Sequence, residues 1–175
     1  FDAHTDLRDD FLGVELSHAT VIKKCWDILG DGRIHSFGIR SGLREEFVFG
    51  HDHLDFHPFL IGSANIGKTD KIRTREELIR SYQESIDALA RTLKEQATPL
   101  YITLDLDVFD PGIMPGTGTL EAGGLSFLEV LDLLFRVEGT NVVGFDINEL
   151  SPPYDPTGQS TALALKLLRE MLLLL

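Results

Sequence analysis

The first residues of the chain, "FDAHTDLRDD", carry metal-binding side chains at three alternate positions, Asp2, His4 and Asp6. Alternate residues of an extended chain point to the same side. Carboxylates and imidazoles are common ligands of divalent metal ions. The spacing therefore predicts one part of a metal site, whose remaining ligands come from elsewhere in the chain.

A second acidic pair lies much later, in "TLDLDVFDP", where Asp105 and Asp107 are also two positions apart. We expect both carboxylates on one face of a buried strand. Two neighbouring carboxylates in a medium of low dielectric constant do not both stay ionised without a compensating cation, which a divalent metal supplies. The alternative is a strand end that has reached solvent, where both aspartates are hydrated.

Together the two segments offer four carboxylates and one imidazole. Oxygen-rich ligand sets suit manganese or magnesium, and the imidazole favours manganese or another transition metal. Four carboxylates carry more charge than one divalent ion neutralises, so we expect two ions that share bridging carboxylates. Paired ions of this kind activate water and stabilise a tetrahedral transition state. The residues thus predict a two-metal hydrolase.

Two further side chains are candidates for the reaction itself. Glu149 follows a third strand and has the chemistry to bind a guanidinium group by paired hydrogen bonds, or else to cap a turn. His18 follows the first motif and has the chemistry to transfer protons, or else is a cap or core histidine. Asp146, inside the strand, is interpreted as a hydrogen-bonded structural acid. The histidines of "HDHLDFH" (51–57) are not expected to form a second metal site, because no predicted element holds them.

Alternating helix and strand signals must position these residues. Apolar spacing and capping residues predict helices at 17–29 with Ser17 as cap, from 74 to about 97, from 126 to about 137, and from about 160 onwards. Apolar and β-branched runs predict strands at 34–40, 100–107 and 141–147, the last two buried on both faces, and more weakly at "EFVFG" within the loop-rich segment 41–73. This alternation predicts an α/β fold with a mainly parallel sheet, whose sites lie at the carboxyl ends of the strands.

Composition limits the class of protein. The 175 residues are 43% hydrophobic and 25% charged, which fits one globular domain over 1–175. The net charge of −12 argues against a nucleic-acid partner, and no apolar run approaches the roughly 20 residues of a membrane span. The single cysteine, Cys25, excludes an internal disulfide and fits the reducing cytoplasm.

The start of the chain is unusual for a parallel sheet. Phe1 and Asp2 are interpreted as the last residues of a buried strand, and such domains do not normally begin there. We therefore expect that an N-terminal part of the parent domain is missing and that the chain represents its C-terminal two-thirds.

The motifs together resemble those of the ureohydrolases, the arginase and agmatinase family. The matching segments, in family order, are "FDAHTD" (1–6), "SHAT" (17–20), "LDLDVFDP" (104–111), "PGTGTLEAGGLS" (115–126) and "GFDINELSPPYD" (144–155). The resemblance implies a three-layer α/β/α arginase-like fold, two manganese ions, and hydrolysis of a small cationic guanidino compound to urea and an amine. It also implies a homo-oligomer, either a trimer or a hexamer.

The resemblance assigns the metal ligands position by position. Asp2 and Asp105 resemble the carboxylates that bridge the ions. His4 and Asp107 resemble ligands of one ion, and Asp6 resembles a ligand of the other. In the family that other ion also takes a histidine from an upstream Gly-Gly-Asp-His segment. This sequence contains no such segment, in agreement with a missing N-terminal part.

The resemblance also indicates the substrate. His18 is similar to the family's proton-shuttling histidine, Glu149 to the carboxylate that binds the guanidinium group, and Thr119 to a threonine near the substrate, although Leu120 replaces the proline that often follows it. Arginases bind the α-amino acid part of arginine with an asparagine and serines. The loop "LRDDFLGVELSHAT" instead offers acids, as in agmatinases, so we expect agmatine to be converted to putrescine, a polyamine, and urea.

Several alternatives stay open. The substrate can be arginine, aminopropyl-agmatine or guanidinobutyrate, and the chain can be an inactive metal-binding fragment or paralogue. A phosphatase is a further alternative, because "LDLDVFD" faintly resembles the nucleophile loop of haloacid-dehalogenase phosphatases. That loop normally lies near the start of a chain and lacks the Val108 and Phe109 found here.

Overall fold

A computed structural model describes residues 1–60 and 74–175. The chain forms two compact units: the N-terminal unit, Asp2–Thr74, and the C-terminal unit, which consists of Phe1 and Arg75–Leu175. None of the helices in the described ranges combines the length and the apolar character that a bilayer crossing requires. The single domain over 1–175 stays a prediction.

Over residues 2–60 and 74, which the structure describes, the N-terminal unit contains one pair of parallel strands and two α-helices. In chain order its elements are a 3-10 turn at His18–Thr20, α1 (Val21–Leu29), β1 (His35–Ile39), α2 (Arg44–His53) and β2 (Asp55–Pro58). β1 and β2 run parallel. Ile39, Phe47 and Phe56 form a buried cluster in this unit. The helix predicted within 17–29 and the strand predicted at 34–40 are confirmed.

The strand predicted at "EFVFG" is wrong, because these residues lie inside α2. The carboxylate of Glu46 accepts a hydrogen bond from the backbone amide of Leu43 at 2.6 Å, which satisfies a donor that the first helical turn leaves unpaired. Glu46, Phe47 and Gly50 are buried, with the spacing of a helix face. The strand β2 was not predicted, and the rest of the loop-rich segment, residues 61–73, lies outside the described residues.

Ser17 is the N-cap of the 3-10 turn that leads into α1, as predicted, but its side chain makes no capping hydrogen bond. The hydroxyl of Ser17 is buried and has no hydrogen-bond partner within the described parts of the chain. Instead the backbone amide of Ser17 donates to the hydroxyl of Thr20 at 2.9 Å. The turn is therefore closed by the threonine that follows the histidine and not by the serine that precedes it.

The C-terminal unit has the second pair of parallel strands and three α-helices. Its elements are α3 (Arg75–Gln96), β3 (Pro99–Asp105), a 3-10 turn at Leu106–Val108, α4 (Phe127–Phe135), β4 (Asn141–Asn148), a 3-10 turn at Pro152–Tyr154, and α5 (Gln159–Leu172). β3 and β4 are parallel. Phe1 runs beside β3, because its nitrogen donates to the carbonyl of Thr103 and its carbonyl accepts from the amide of Asp105, both at 2.9 Å. The predicted helices and strands of this unit are confirmed.

The capping box predicted at the start of α4 is confirmed. The amide of Ser126 donates to the carboxylate of Glu129 at 2.7 Å, and the amide of Glu129 donates to the hydroxyl of Ser126 at 3.3 Å. Arg75, the first residue of α3, also donates to both carboxylate oxygens of Glu129. Burial opposes the ionisation of Glu129, but these hydrogen bonds hold the pKa of Glu129 below its usual value. One carboxylate thus fixes the starts of two helices.

Burial of β3 and β4 on both faces, in contrast, is wrong. Ile102 and Leu104 are buried, whereas Tyr101, on the other face of β3, is 59% exposed, and no residue of β4 is fully buried. Side chains alternate between the two faces of a strand, so one face packs into the unit and the other carries polar groups. The α/β class with parallel strand pairs is nevertheless confirmed by both units.

Candidate metal-binding and catalytic site

The first motif of the chain has the alternation that its spacing predicts. Asp2, His4 and Asp6 are partly exposed. The residue directly after each of these three is buried, with at most 5% of its surface exposed: Ala3, Thr5 and Leu7. The three side chains that can bind a metal therefore lie on one side of the extended segment. The buried side chains on the other side anchor the segment.

Backbone hydrogen bonds hold this segment alongside β1 and the residues that follow it. The amide of Asp2 donates to the carbonyl of Phe37 at 3.1 Å, and the amide of Arg40 donates to the carbonyl of Ala3 at 2.8 Å. The bridge between His4 and Ser41 is parallel. The motif thus lies at the carboxyl end of β1, the position at which sites occur in parallel sheets.

The ligand atoms of the motif are close enough for metal binding. Nδ1 of His4 lies 3.6 Å from Oδ1 of Asp2, and that oxygen also accepts the backbone amide of His4 at 2.7 Å. A carboxylate oxygen of Asp6 lies within 4.8 Å of one from Asp2. Asp2 is therefore near both His4 and Asp6. Carboxylate oxygens with one imidazole are a ligand set that fits manganese, so the donors present suit the ion that the sequence predicts.

A buried carboxylate that the sequence analysis missed supports the motif from α2. Glu46 is 4% exposed and accepts the hydroxyl of Thr5 at 2.7 Å. Its other oxygen accepts Nε of Arg8 at 3.1 Å. A side chain on Gly42 would come within 2.5 Å of the Thr5 hydroxyl, so the glycine makes room for this contact. Glu46 fixes Thr5, the residue between His4 and Asp6.

His18 lies in the 3-10 turn before α1, and its side chain is exposed. The ring of Phe11 meets the His18 imidazole edge to face at 5.1 Å, and the guanidinium of Arg8 lies 5.2 Å from the same phenyl ring. Phe11 and Val14 close a tight hairpin through two backbone hydrogen bonds. The imidazole is thus held at the base of a hairpin, and its role as a proton shuttle stays a prediction.

In the C-terminal unit, Asp105 and Asp107 do not share the face of one strand, so that prediction is wrong. β3 ends at Asp105, and Asp107 lies in the following 3-10 turn. Asp105 is partly exposed, whereas Asp107 is only 2% exposed. Leu106 continues the buried series of Ile102 and Leu104, and the 3-10 turn then buries Asp107 as well. Both acids still lie at the carboxyl end of β3, where the sequence predicts them.

Thr119 lies near Asp107 in the same unit, and Glu149 lies near the loop of Thr119. The hydroxyl of Thr119 is 3.5 Å from Oδ2 of Asp107, a weak hydrogen bond. A side chain on Gly118 would come within 3.7 Å of Oε2 of Glu149, which places this carboxylate beside the loop of Thr119. The amide of Ser151 donates to the carbonyl of Gly116 at 2.7 Å and ties the two loops together. Thr119 therefore lies beside the buried Asp107, and Glu149 lies beside the loop that carries Thr119.

Two of the predicted site residues have a strained backbone. Asp6 has a φ of 52° and Glu149 a φ of 63°, in the left-handed region that non-glycine residues rarely adopt. Such residues cluster at functional sites, where the surrounding contacts hold them. The amide of Lys23 donates to the carbonyl of Asp6 at 3.1 Å and is one of those contacts.

The histidines between 51 and 57 make contacts with carboxylates and rings of their own unit. His57 and His35 lie 2.9 and 2.7 Å from the two carboxylate oxygens of Asp55, and His53 lies 3.0 Å from Asp31. Hydrogen bonds from the two imidazoles, His35 first, hold the pKa of Asp55 well below its usual value. Within the described ranges, no three ligand atoms of this segment lie close enough to hold one ion.

Parallel α/β units with metal-binding side chains at the carboxyl ends of strands are typical of metal-dependent enzymes of the α/β class. Residues 1–174 match the model of the arginase family, and the chain belongs to that family. The family resemblance of the sequence motifs is therefore confirmed.

The comparisons also give individual relatives. The chain is 40% identical to an agmatinase of Bacillus anthracis over 98% of its own length and 52% of the relative's, and 30% identical to a guanidinobutyrase of Pseudomonas aeruginosa over 99% and 51%. Among solved structures, it is similar to the agmatine ureohydrolase of Thermoplasma volcanium with a TM-score of 0.74 and 34% identity, over 97% of this chain and 51% of that one. This similarity shows an arginase-like fold. The chain spans about half the length of the curated relatives it matches.

Proposed function

We propose that the protein is a metal-dependent hydrolase of guanidino compounds, with two manganese ions, and that its substrate is agmatine. The family match carries this proposal, together with the three metal-binding side chains on one side of the first segment. The products are putrescine and urea, which connects the reaction to polyamine synthesis.

The proposed ligands are the four carboxylates and one imidazole of the two acidic motifs. Asp2, His4, Asp6, Asp105 and Asp107 would hold the ions, whose positive charge the carboxylates would neutralise.

The residues of the chain have separate roles in the proposed reaction. The ions, when bound, supply an activated water molecule and stabilise negative charge as it develops. Glu149 binds the guanidinium nitrogens through charge-assisted hydrogen bonds and orients the carbon for attack. His18 donates a proton to the leaving amine, because an amine leaves more easily when it is protonated. Thr119 lines the substrate side of Asp107.

The choice of agmatine depends on the hairpin after the first motif. Agmatine has a guanidinium group at one end and an ammonium group at the other. Asp9, Asp10 and Glu15 are exposed and offer negative charge to a second cation. Guanidinobutyrate has a carboxylate at that end, which these acids would repel. Relatives named agmatinase at up to 40% identity support the same choice, whereas the relative named guanidinobutyrase is 30% identical.

The substrate is tested with full-length protein loaded with manganese. Urea release is measured from agmatine, arginine, guanidinobutyrate and aminopropyl-agmatine at equal concentrations. We expect kcat/KM for agmatine to be well above the value for arginine. Equal or faster turnover of arginine would contradict the choice of agmatine. Release of phosphate from a phosphomonoester in magnesium would instead support the phosphatase alternative.

The metal site is tested by counting ions in variants. We expect two manganese ions per chain in the full-length protein and loss of bound manganese in Asp105→Ala. Asp52→Ala is the matched control, because Asp52 is an exposed acid on α2. Normal manganese content in Asp105→Ala would refute the ligand assignment. One ion or none in the unaltered protein would support an inactive metal-binding fragment or paralogue.

We also propose a cytoplasmic homo-oligomer, a trimer or a hexamer. A single cysteine in the chain supports a reducing compartment. Light scattering of the full-length protein measures the mass of the assembly, and a monomeric mass would refute the oligomer.

A further inference from the structure

A row of polar side chains crosses the exposed face of the β3–β4 pair and ends at a proposed metal ligand. Tyr101, Thr103 and Asp105 alternate along β3, and Asp146 and Asn148 lie opposite Thr103 and Asp105 on β4. Registered neighbours on one face of a sheet are close enough for their side chains to interact. The row therefore connects the middle of the sheet with the carboxyl end of β3.

Asp146 is the anchor of this row. Its Oδ2 accepts the hydroxyl of Tyr101 at 2.8 Å, and its Oδ1 accepts the hydroxyl of Thr103 at 2.7 Å and Nδ2 of Asn148 at 2.5 Å. Three donors thus fix one carboxylate, which confirms its interpretation as a hydrogen-bonded structural acid. Hydrogen bonds to an ionised acceptor are shorter and stronger than those between neutral groups.

Asn148 connects this anchor to the proposed ligand. The amide nitrogen that contacts Asp146 also lies 3.3 Å from Oδ1 of Asp105. If the Asn148 amide were rotated by half a turn, its oxygen would face two carboxylates and be repelled. The two carboxylates therefore favour the orientation in which the amide nitrogen faces them. An amide nitrogen has two hydrogens, one for each carboxylate. Asn148 therefore separates two like charges and directs a donor at one oxygen of Asp105.

We propose that Asn148, fixed by Asp146, is a positioning residue that orients the Asp105 carboxylate for metal binding. This inference rests on the proposed function, in which Asp105 binds the ions. A donor on Oδ1 restricts rotation of the carboxylate, so less freedom is lost when an ion binds. Asn148 touches neither the substrate nor the reacting atoms in this proposal and acts through Asp105 alone.

The test measures manganese affinity in the full-length protein by electron paramagnetic resonance of the unbound ion. Asn148→Ala removes the donor, and Asn148→Leu removes it with little change in size. We expect both variants to bind manganese about 10–100-fold more weakly, the usual effect of losing such a supporting contact. Asn141→Ala is the matched control, because Asn141 is an exposed asparagine at the opposite end of β4. Its affinity should equal that of the unaltered protein.

Two further measurements separate positioning from a general loss of structure. In EDTA, Asn148→Leu should keep the circular dichroism spectrum and the cooperative unfolding of the unaltered protein, because Asn148 is exposed and is not part of the core. Asp146→Asn combined with Asn148→Ala should weaken manganese binding less than the sum of the single changes, because Asp146 acts through Asn148.

The outcomes distinguish this inference from the proposed function. If the unaltered protein binds two manganese ions and Asn148→Ala and Asn148→Leu bind them with unchanged affinity, the inference is wrong and the proposed function stands. An equal loss of affinity in Asn141→Ala would also overturn it. If the unaltered protein binds no manganese, the proposed function fails and the inference fails with it.

Discussion

The replacement of Glu46 by glutamine tests how the first motif is held in place. Glu46 is buried and accepts the hydroxyl of Thr5 and the amide of Leu43 on one oxygen, while Nε of Arg8 contacts the other. Glutamine keeps the shape of the side chain. In its better orientation the amide oxygen still accepts the first two donors, but the amide nitrogen then faces the guanidinium of Arg8, where donor meets donor.

The magnitude follows from the type of hydrogen bond that is lost. A hydrogen bond to a charged group contributes about 1.5–3 kcal/mol and a neutral one about 0.5–1.5, so each retained bond weakens by about 1 kcal/mol. The pair with Arg8 adds no more than about 1 kcal/mol, because the arginine side chain is 34% exposed and solvent screens it. We therefore expect Glu46→Gln to lower the free energy of unfolding by about 2–3 kcal/mol.

The assay is unfolding of the metal-free protein in urea, followed by circular dichroism, with Glu45→Gln as the matched control. Glu45 is the preceding residue of α2 and is exposed, so its change should stay within about 0.5 kcal/mol. By thermal unfolding, the loss in Glu46→Gln corresponds to a lowering of Tm by about 4–12 °C. If Glu46→Gln unfolds at the same urea concentration as Glu45→Gln, the buried hydrogen bonds of Glu46 do not stabilise the motif.

Two further predictions concern catalysis and pH. His18→Ala should keep its manganese but release urea at least about 100-fold more slowly. The control His51→Ala, which changes an exposed histidine of α2, should be as active as the unaltered protein. A normal rate in His18→Ala would exclude proton transfer by His18. The hydroxyl of Thr157 and the amide of Ser160 donate to Asp155 and hold the pKa of Asp155 below its usual value. Ionised Asp155 therefore stabilises the fold above about pH 4, and this stabilisation is lost as the pH falls further. Asp155→Asn should therefore lower the urea midpoint at pH 7 and lower it less at pH 3; an equal loss at both pH values would contradict this account.

Much of the secondary structure could be predicted because its signals are local. The reciprocal hydrogen bonds of Ser126 and Glu129 use two side chains three residues apart, so the sequence itself contains the start of α4. The alternating apolar residues of β3 likewise indicate a strand without any knowledge of its neighbours. The spacing of Asp2, His4 and Asp6 indicates a shared side in the same way. Each of these predictions depends on residues within a few positions of one another.

The errors arose where distant residues decide the outcome. The aromatic and β-branched residues of "EFVFG" favour a strand, yet they lie in a helix whose Glu46 accepts the hydroxyl of Thr5, 41 positions away. Local preference is weak compared with such tertiary contacts. The turn after Asp105 is not visible in the local pattern either. Leu106 continues the buried series of Ile102 and Leu104, as it would in a longer strand, yet Asp107 is buried in a 3-10 turn.

The two residues that the sequence analysis missed, Glu46 and Asn148, have similar positions relative to the proposed ligands. Each lies beside a ligand-bearing segment and not in the series of ligands, and each is fixed by several hydrogen bonds. A ligand set defined by residue type and spacing finds only the atoms that would touch the ions. The supporting side chains have no required spacing, since they need only reach a ligand from a neighbouring element. Such a residue is recognised as an acid or amide that lies opposite an acidic motif on a paired strand, or beside the motif at the start of a helix. This placement becomes visible only when the strand pairing is known.

The strained backbone at Asp6 and Glu149 gives a physical reason for this amount of support. A non-glycine residue in the left-handed region costs about 1–3 kcal/mol, and it persists only when its surroundings determine its conformation. At Asp6 the carbonyl accepts the amide of Lys23, and the nearby Thr5 is held by Glu46. These contacts offset the strain before any ion binds. A motif held in this way presents its carboxylates in advance, so that less of the binding energy of the proposed ions would be spent on ordering them.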